Sequence, residues 1–223
     1  YEEIVKSSKS ISKICEYIKS EEFFKKCIKN STEAFNKKGL KIKIPKFNQN
    51  SYDSLRFAKK FSILWALNKL RFVLFQIPYF GDLFEKLSLS LFGNVAPTID
   101  VAQSEMGYEV GMHTDSRFKL MAGIIYLNTI KDDSDGETEF WSSEGLSNLE
   151  NQKRYPDKED IVNSKLLMSV KPKAGRTVLF INSNDAYHSV KKFKGDKRNI
   201  IYFSFSVPIL DNIWETDFKV KSL

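Results

Sequence analysis

An α+β fold is what the 223-residue sequence predicts: helices first, then a double-sheet jelly roll (a double-stranded β-helix, cupin-like) of about eight strands. Two textures along the chain predict it. Up to about residue 95, apolar residues recur at helical spacing among lysines, whereas from Pro97 onward short runs rich in Val, Ile, Phe and Tyr follow one another between turn residues. The third observation is compositional. Eighteen phenylalanines and a hydrophobic fraction of 42% supply a packed core rather than a disordered chain.

Taken in order, Ile4, Ile11, Ile14, Cys15 and Ile18 fall on one stripe, which makes residues 2–19 an amphipathic helix. Ser20 is an N-cap for a second helix, with Glu21 and Glu22 where the helix dipole favours acids. That helix turns Phe23, Phe24, Cys27, Ile28 and Phe35 inward and stops at Gly39. Leu40-Lys41-Ile42-Lys43-Ile44 alternates strictly, predicting a short strand ended by Pro45. Residues 54–75 are apolar enough for a long helix packed against a sheet and broken near Pro78, and residues 82–92 read as another helix stopped by Gly93. Strands are expected at 97–104, 108–115, 121–128, 137–141, 165–171, 176–182, 186–190 and 199–207. Between the fourth and fifth lies a polar connection, Ser142 to Ser164, long enough to be a lid or substrate-contacting loop or else a plain surface excursion. The expectation is one structural domain: residues 1–95 a helical support, 96–210 the double-stranded β-helix core, and 211–223 a C-terminal tail.

Charge is unevenly placed. Residues 1–60 hold 15 Lys/Arg against 7 Asp/Glu, and the rest hold 20 against 21, so the net +7 belongs to the N-terminal third. One reading of this excess is a surface that attracts nucleic acid, anionic lipid or an acidic partner; the other, favoured because those lysines are interleaved with apolar residues at helical spacing, is a set of solvated helix faces. Cys15 and Cys27 form no CxxC pattern and read as half-buried free thiols. No signal-peptide pattern is visible, and a cytoplasmic location is expected. The most apolar window, Phe61–Phe75, is interrupted by Asn68, Lys69 and Arg71 and is too short and too charged to span a membrane.

The chemistry begins at Gly111-Met112-His113-Thr114-Asp115. On a strand, positions i and i+2 share a face, so His113 and Asp115 can reach one metal ion while Thr114 points away. A histidine and a carboxylate are two-thirds of the facial triad that holds Fe(II) with open positions, and the chain's one other histidine is His188. A closed zinc site would need a fourth ligand, and neither cysteine is near. Ten residues past His188, Arg198 opens an apolar strand. Inside a barrel, its guanidinium would call for a ligand carboxylate; alternatively it is a surface arginine of the Lys191–Arg198 run or half of a structural ion pair.

In four ordered blocks over roughly residues 97–208, the chain resembles the Fe(II)- and 2-oxoglutarate-dependent dioxygenases, in their prolyl-4-hydroxylase-like branch. The blocks are Gly107-Tyr-Glu-Val-Gly-Met-His113-Thr-Asp115; Ile124-Ile-Tyr126-Leu127-Asn128; Asp135-Gly136-Glu137-Thr138-Glu139-Phe140; and Val170-Lys-Pro172-Lys-Ala-Gly175-Arg-Thr-Val-Leu-Phe180 through His188-Ser-Val190 and Gly195 to Arg198. The resemblance implies that His113, Asp115 and His188 ligate Fe(II), that Arg198 clamps the distal carboxylate of 2-oxoglutarate, and that Tyr126 hydrogen-bonds the same carboxylate. It further implies dioxygen as oxidant, ascorbate as a candidate reductant, release of succinate and CO2, and a hydroxylated small-molecule or peptidyl substrate. Asp115 favours hydroxylation, since halogenating relatives lack this carboxylate. Two departures stand out. Val110 replaces the tyrosine common three residues before the first histidine, with Tyr108 the nearest substitute, and Asp135 replaces a turn glycine.

Three alternatives belong beside this reading. Alkylated-nucleic-acid demethylases share fold and triad but carry a further arginine downstream, and no arginine follows Arg198. A jelly-roll binding module without turnover would be expected to have lost a ligand. A zinc or nickel cupin-type enzyme would have no need of Arg198.

Overall fold

The computed structural model describes residues 8–47, 95–116, 118–143, 154–207, 213 and 214. The helices expected at 54–75 and 82–92, the Phe61–Phe75 window and the start of the first helix lie outside the described residues. Helix α1 runs Lys9–Ile18, and α2 runs Glu21–Lys37. Ser20 caps α2 as expected, its Oγ accepting from Phe23 N at 3.2 Å, and Gly39 takes φ 65° just past the end. Both thiols are fully buried rather than half-buried, and burial pushes that of Cys27 up to about 11.

Leu40–Ile44 is not a strand. Leu40 makes a single bridge to Trp214 and Lys41 N donates to Ile213 O at 2.9 Å, with no ladder beyond among the described residues. The alternation is real, but its apolar members, Leu40, Ile42 and Ile44, are satisfied by packing on the core cluster rather than by a pairing partner.

All eight strands of the second half form: β1 Ala96–Ser104, β2 Val110–His113, β3 Lys119–Tyr126, β4 Thr138–Trp141, β5 Leu166–Val170, β6 Thr177–Ile181, β7 His188–Val190 and β8 Arg198–Ser206. They make two antiparallel four-stranded sheets, β1-β8-β3-β6 and β2-β7-β4-β5, which is a double-stranded β-helix. Between β4 and β5 the connection is not structureless: it carries a short helix α3, Lys158–Asn163, with Asp157 at its N-cap position. Strand β5 forms the outer margin of its sheet, with Leu166, Leu167 and Met168 exposed.

Parity along β8 explains how helices and site share one sheet. Ile201, Phe203 and Phe205 face outward into a core built with Phe23 and Phe24 of α2 and Leu120 and Met121 of β3. Arg198, Ile200 and Tyr202 alternate with them, and Ile200 and Tyr202 pack with Ile124 and Tyr126 of β3 on the other face. Each buried phenylalanine contributes about 1.5–3 kcal/mol by leaving water, so this layer fixes the sheet on which half of the site is built.

Candidate metal centre

Strands β2 and β7 pair antiparallel with His113 directly opposite His188. That register, invisible across 75 residues of chain, brings the imidazole centroids to 4.3 Å. One ligand atom from each of His113, Asp115 and His188 lies within 4.8 Å of the others, so the three residues singled out by sequence do converge. Each imidazole is oriented by its own strand: His113 Nδ1 lies 2.8 Å from Gly111 O and His188 Nδ1 lies 3.0 Å from Ala186 O. A carbonyl oxygen only accepts, so Nδ1 carries a proton in both rings and Nε2 is the atom that each ring has left to offer a metal. Two imidazoles and one carboxylate form a donor set suited to Fe(II).

His188 is walled by Phe180 and Phe140, with ring centroids at 4.8 and 6.4 Å. Burial, reinforced by the neighbouring His113, lowers its pKa from 6.5 to about 4. The unfolded imidazole binds a proton near pH 6.5 and the folded one only near pH 4, so between these values the unfolded chain holds more protons. Stability of the metal-free protein therefore falls as pH drops through that window. Urea unfolding in the presence of chelator is expected to show wild type losing about 2 kcal/mol more than His188→Gln between pH 7 and 4.5. Parallel pH profiles would mean that His188 is not held neutral by burial.

Asp115 is 9% exposed. Burial alone would raise its pKa, but the Lys119 charge, the adjacent His188 and hydrogen bonds from Tyr202 and Lys119 outweigh it and hold the carboxyl below its usual value. Tyr202 Oη donates to Asp115 Oδ2 at 2.8 Å, and Lys119 Nζ lies 3.0 Å from the same oxygen.

Arg198 is 1% exposed, so the sequence alternative of a surface arginine falls away. Its Nε donates to Gly136 O at 3.0 Å and its Nη2 to Thr138 Oγ1 at 3.3 Å, while Nη1 has no hydrogen-bond partner among the described residues. No acid forms an ion pair with it there either, and the guanidinium lies over the Tyr126 ring at 5.4 Å. A buried cation with an unpaired donor is costly, and a ligand carboxylate would satisfy it. Tyr126 Oη donates to Thr138 Oγ1 at 2.7 Å, so Tyr126, Thr138 and Arg198 form one cluster. Thr138 sits two residues before Phe140, the residue opposite His188. Along a strand that separation is about 7 Å, so the cluster and the metal ligands occupy one stretch of the same inner face.

Sequence reasoning quoted Thr138 within a block but assigned it no role; the signal available was its i−2 relation to Phe140. Asn128 was likewise unassigned. It accepts from Asn199 N at 2.7 Å and donates to Lys197 O at 2.8 Å, pinning the backbone on both sides of Arg198. Asp135 does take the left-handed conformation, φ 50°, and is held by Lys191 and Lys194 at 2.7 and 2.6 Å. Tyr108, considered as a substitute donor, is exposed and bonds through its backbone carbonyl to Phe193 N. From the long connection comes Tyr155 instead. Thr114 N donates to Arg154 O at 2.8 Å and Arg154 Nε to Thr114 O at 3.1 Å, which stacks the Tyr155 ring on His113 at 5.8 Å. Tyr155 is 62% exposed, so it stands at the solvent side of the ligands.

Residues 99–205, just under half of the chain, match the model of the 2OG-Fe(II) oxygenase superfamily. No curated protein matches the chain. Similar solved structures include a prolyl hydroxylase from Trichoplax adhaerens in complex with a hypoxia-inducible-factor peptide fragment, at 19% identity and TM-score 0.37, covering 57% of this chain and 53% of that one. A prolyl-4-hydroxylase from Pseudomonas putida matches at 17% identity and TM-score 0.37, covering 63% of this chain and 62% of that one. A viral collagen prolyl hydroxylase from Paramecium bursaria Chlorella virus-1 matches at 15% identity and TM-score 0.34, covering 56% and 66%. This chain spans between about half and two-thirds of the length of those three.

Proposed function

We propose, from a chain whose residues 99–205 belong to the 2OG-Fe(II) oxygenase superfamily, that this protein is an Fe(II)- and 2-oxoglutarate-dependent hydroxylase. Its substrate on this reading is a C–H bond of peptidyl proline or another amino-acid-like molecule, the class to which the four sequence blocks are similar.

The observation that carries the reading is Arg198: buried, unpaired by any described acid, with Nη1 left without a partner. A metal-only cupin site has no use for such a group, and a binding module has no reason to retain it beside an intact triad. His113, Asp115 and His188 would hold Fe(II), leaving three coordination positions open. Bound iron would supply activation of dioxygen, coupled to oxidative decarboxylation of 2-oxoglutarate to succinate and CO2. Arg198 Nη1 would donate to the distal carboxylate of the cosubstrate, with the Thr138 and Tyr126 hydroxyls beside it. The Phe140 and Phe180 rings keep water from the His188 side of the ligands. Tyr155, stacked on His113 at the solvent side, is where an incoming substrate would first meet the site.

Anaerobic mixing with Fe(II) and 2-oxoglutarate is expected to give a weak visible charge-transfer band. Admitting oxygen with peptides and free amino acids tested side by side is then expected to release succinate for one class. Absence of the band together with absence of succinate across both panels would sink the oxygenase reading.

A further inference from the structure

Asp115 follows β2 in one sheet, yet the groups that hold its side chain come from the other. Tyr202 lies on the inner face of β8, and Lys119 opens β3. Tyr202 Oη donates to Asp115 Oδ2 at 2.8 Å, Lys119 Nζ lies 3.0 Å from that same oxygen, and Lys119 Nζ also donates to Tyr202 Oη at 2.7 Å. The ammonium sits 5.1 Å from the Tyr202 ring centroid. Among the described residues, the hydrogen bonds to this carboxylate therefore converge on Oδ2 and none goes to Oδ1.

This triangle has two physical consequences. The carboxylate cannot swing or offer both oxygens at once, since turning Oδ2 toward a metal would strand two donors in a mostly buried place. And a full positive charge stands beside the only anionic ligand of the three. That charge repels any ion in the site, and it repels a trivalent ion by half as much again as a divalent one.

We propose that Tyr202 and Lys119 are positioning residues for the metal's carboxylate ligand: together they hold Asp115 Oδ2 so that Oδ1 alone faces the metal, and the Lys119 charge biases the centre toward ferrous over ferric iron. The inference rests on the metal reading of this site. The two roles separate by residue. Tyr202 supplies orientation without charge, and Lys119 supplies the charge. Loss of orientation reads as weaker binding of a divalent ion, and loss of charge reads as a changed preference between ferrous and ferric iron.

The test uses the full chain and two measurements: Mn(II) affinity by anaerobic titration, and the Fe(III)/Fe(II) potential of the iron-loaded protein by mediated spectroelectrochemistry. Tyr202→Phe is expected to weaken Mn(II) binding about tenfold, the lower end of what loss of a ligand-orienting partner costs. Lys119→Met is expected to bind Mn(II) at least as tightly as wild type. It should also shift the preference for ferrous over ferric iron down at least tenfold, which for a one-electron couple is a potential lowered by about 59 mV. Lys119→Arg, keeping the charge, should restore the wild-type potential. Should Lys119→Met fold poorly, Lys119→Gln removes the same charge while keeping a polar head. A neutral Lys119 variant with the wild-type potential, or a Tyr202→Phe protein with unchanged Mn(II) affinity, overturns the positioning role. Wild-type protein that binds neither Mn(II) nor Fe(II) overturns instead the metal reading beneath it.

Discussion

Arg198→Met is expected to weaken 2-oxoglutarate binding by about 100-fold or more while leaving metal affinity within a few-fold of wild type. The magnitude follows from what would be lost. A hydrogen-bonded charge pair in a buried site is worth several times a neutral hydrogen bond, and removing one partner leaves the cosubstrate carboxylate desolvated and uncompensated, which costs about 2–5 kcal/mol. Methionine retains length and apolar packing against Tyr126, and it removes a guanidinium whose Nη1 has no partner in the first place. The substituted protein should accordingly fold at least as stably as wild type. His188→Ala should behave in the opposite way, losing one of three ligands and with it measurable Mn(II) binding and all turnover. Anaerobic calorimetry with Mn(II) first and 2-oxoglutarate second separates the two. If Arg198→Met loses the metal and keeps the cosubstrate, Arg198 is a structural residue and its unpaired donor has another meaning.

A second large effect is expected far from any ligand. On β3, Gly123 lies opposite Phe203 of β8, and a Cβ built there would come within 2.3 Å of the Phe203 ring. That ring cannot retreat, because it is fully buried between Phe23 and Phe205. Gly123→Val should lower stability by about 3 kcal/mol, at the upper end for overpacking a core. The reading is the urea midpoint at unchanged slope. Phe203→Leu combined with Gly123→Val should recover part of the loss, a coupling expected of residues in contact. A valine variant within about 0.5 kcal/mol of wild type would show that the helix layer yields where it is drawn as fixed.

How much of this was legible in the sequence depends on how local each feature is. Strands β1, β3, β4, β6 and β8 were legible because each is rich in β-branched or aromatic residues, and the cap at Ser20 because Phe23 N lies three residues away. The strand expected at residues 40–44 failed for the same reason in reverse. Alternation marks which side chains are buried, but a strand also needs a neighbour, and Leu40 finds a single bridge to Trp214. Within the site, the triad was legible from parity and scarcity: two residues apart on a strand, and two histidines in the chain. The partners of Asp115 were not: Lys119 stands only four residues on, but no strand periodicity spans the turn between them, and Tyr202 reaches the carboxylate from the opposite sheet across 87 residues of chain. Tyr202 did leave a trace. It stands four residues after Arg198 on one strand, hence on the same face, and that parity alone would have placed a phenol inside. The role of Thr138 depends on β4 lying beside β7, a pairing no periodicity expresses.

The sealing of Cys15 and Cys27 beneath the helix layer has a practical side. They are the chain's two cysteines, both are buried, and the Cys27 thiol is pushed far above neutral pH, so alkylating reagents should pass them by in the folded protein. A cysteine introduced at Val162, 83% exposed on α3, would then be the chain's one readily labelled sulfur. A dye attached there would sit on the same connection between β4 and β5 that carries Tyr155, the ring stacked on His113, and a change in its emission on adding ligand would show that the connection responds to the site.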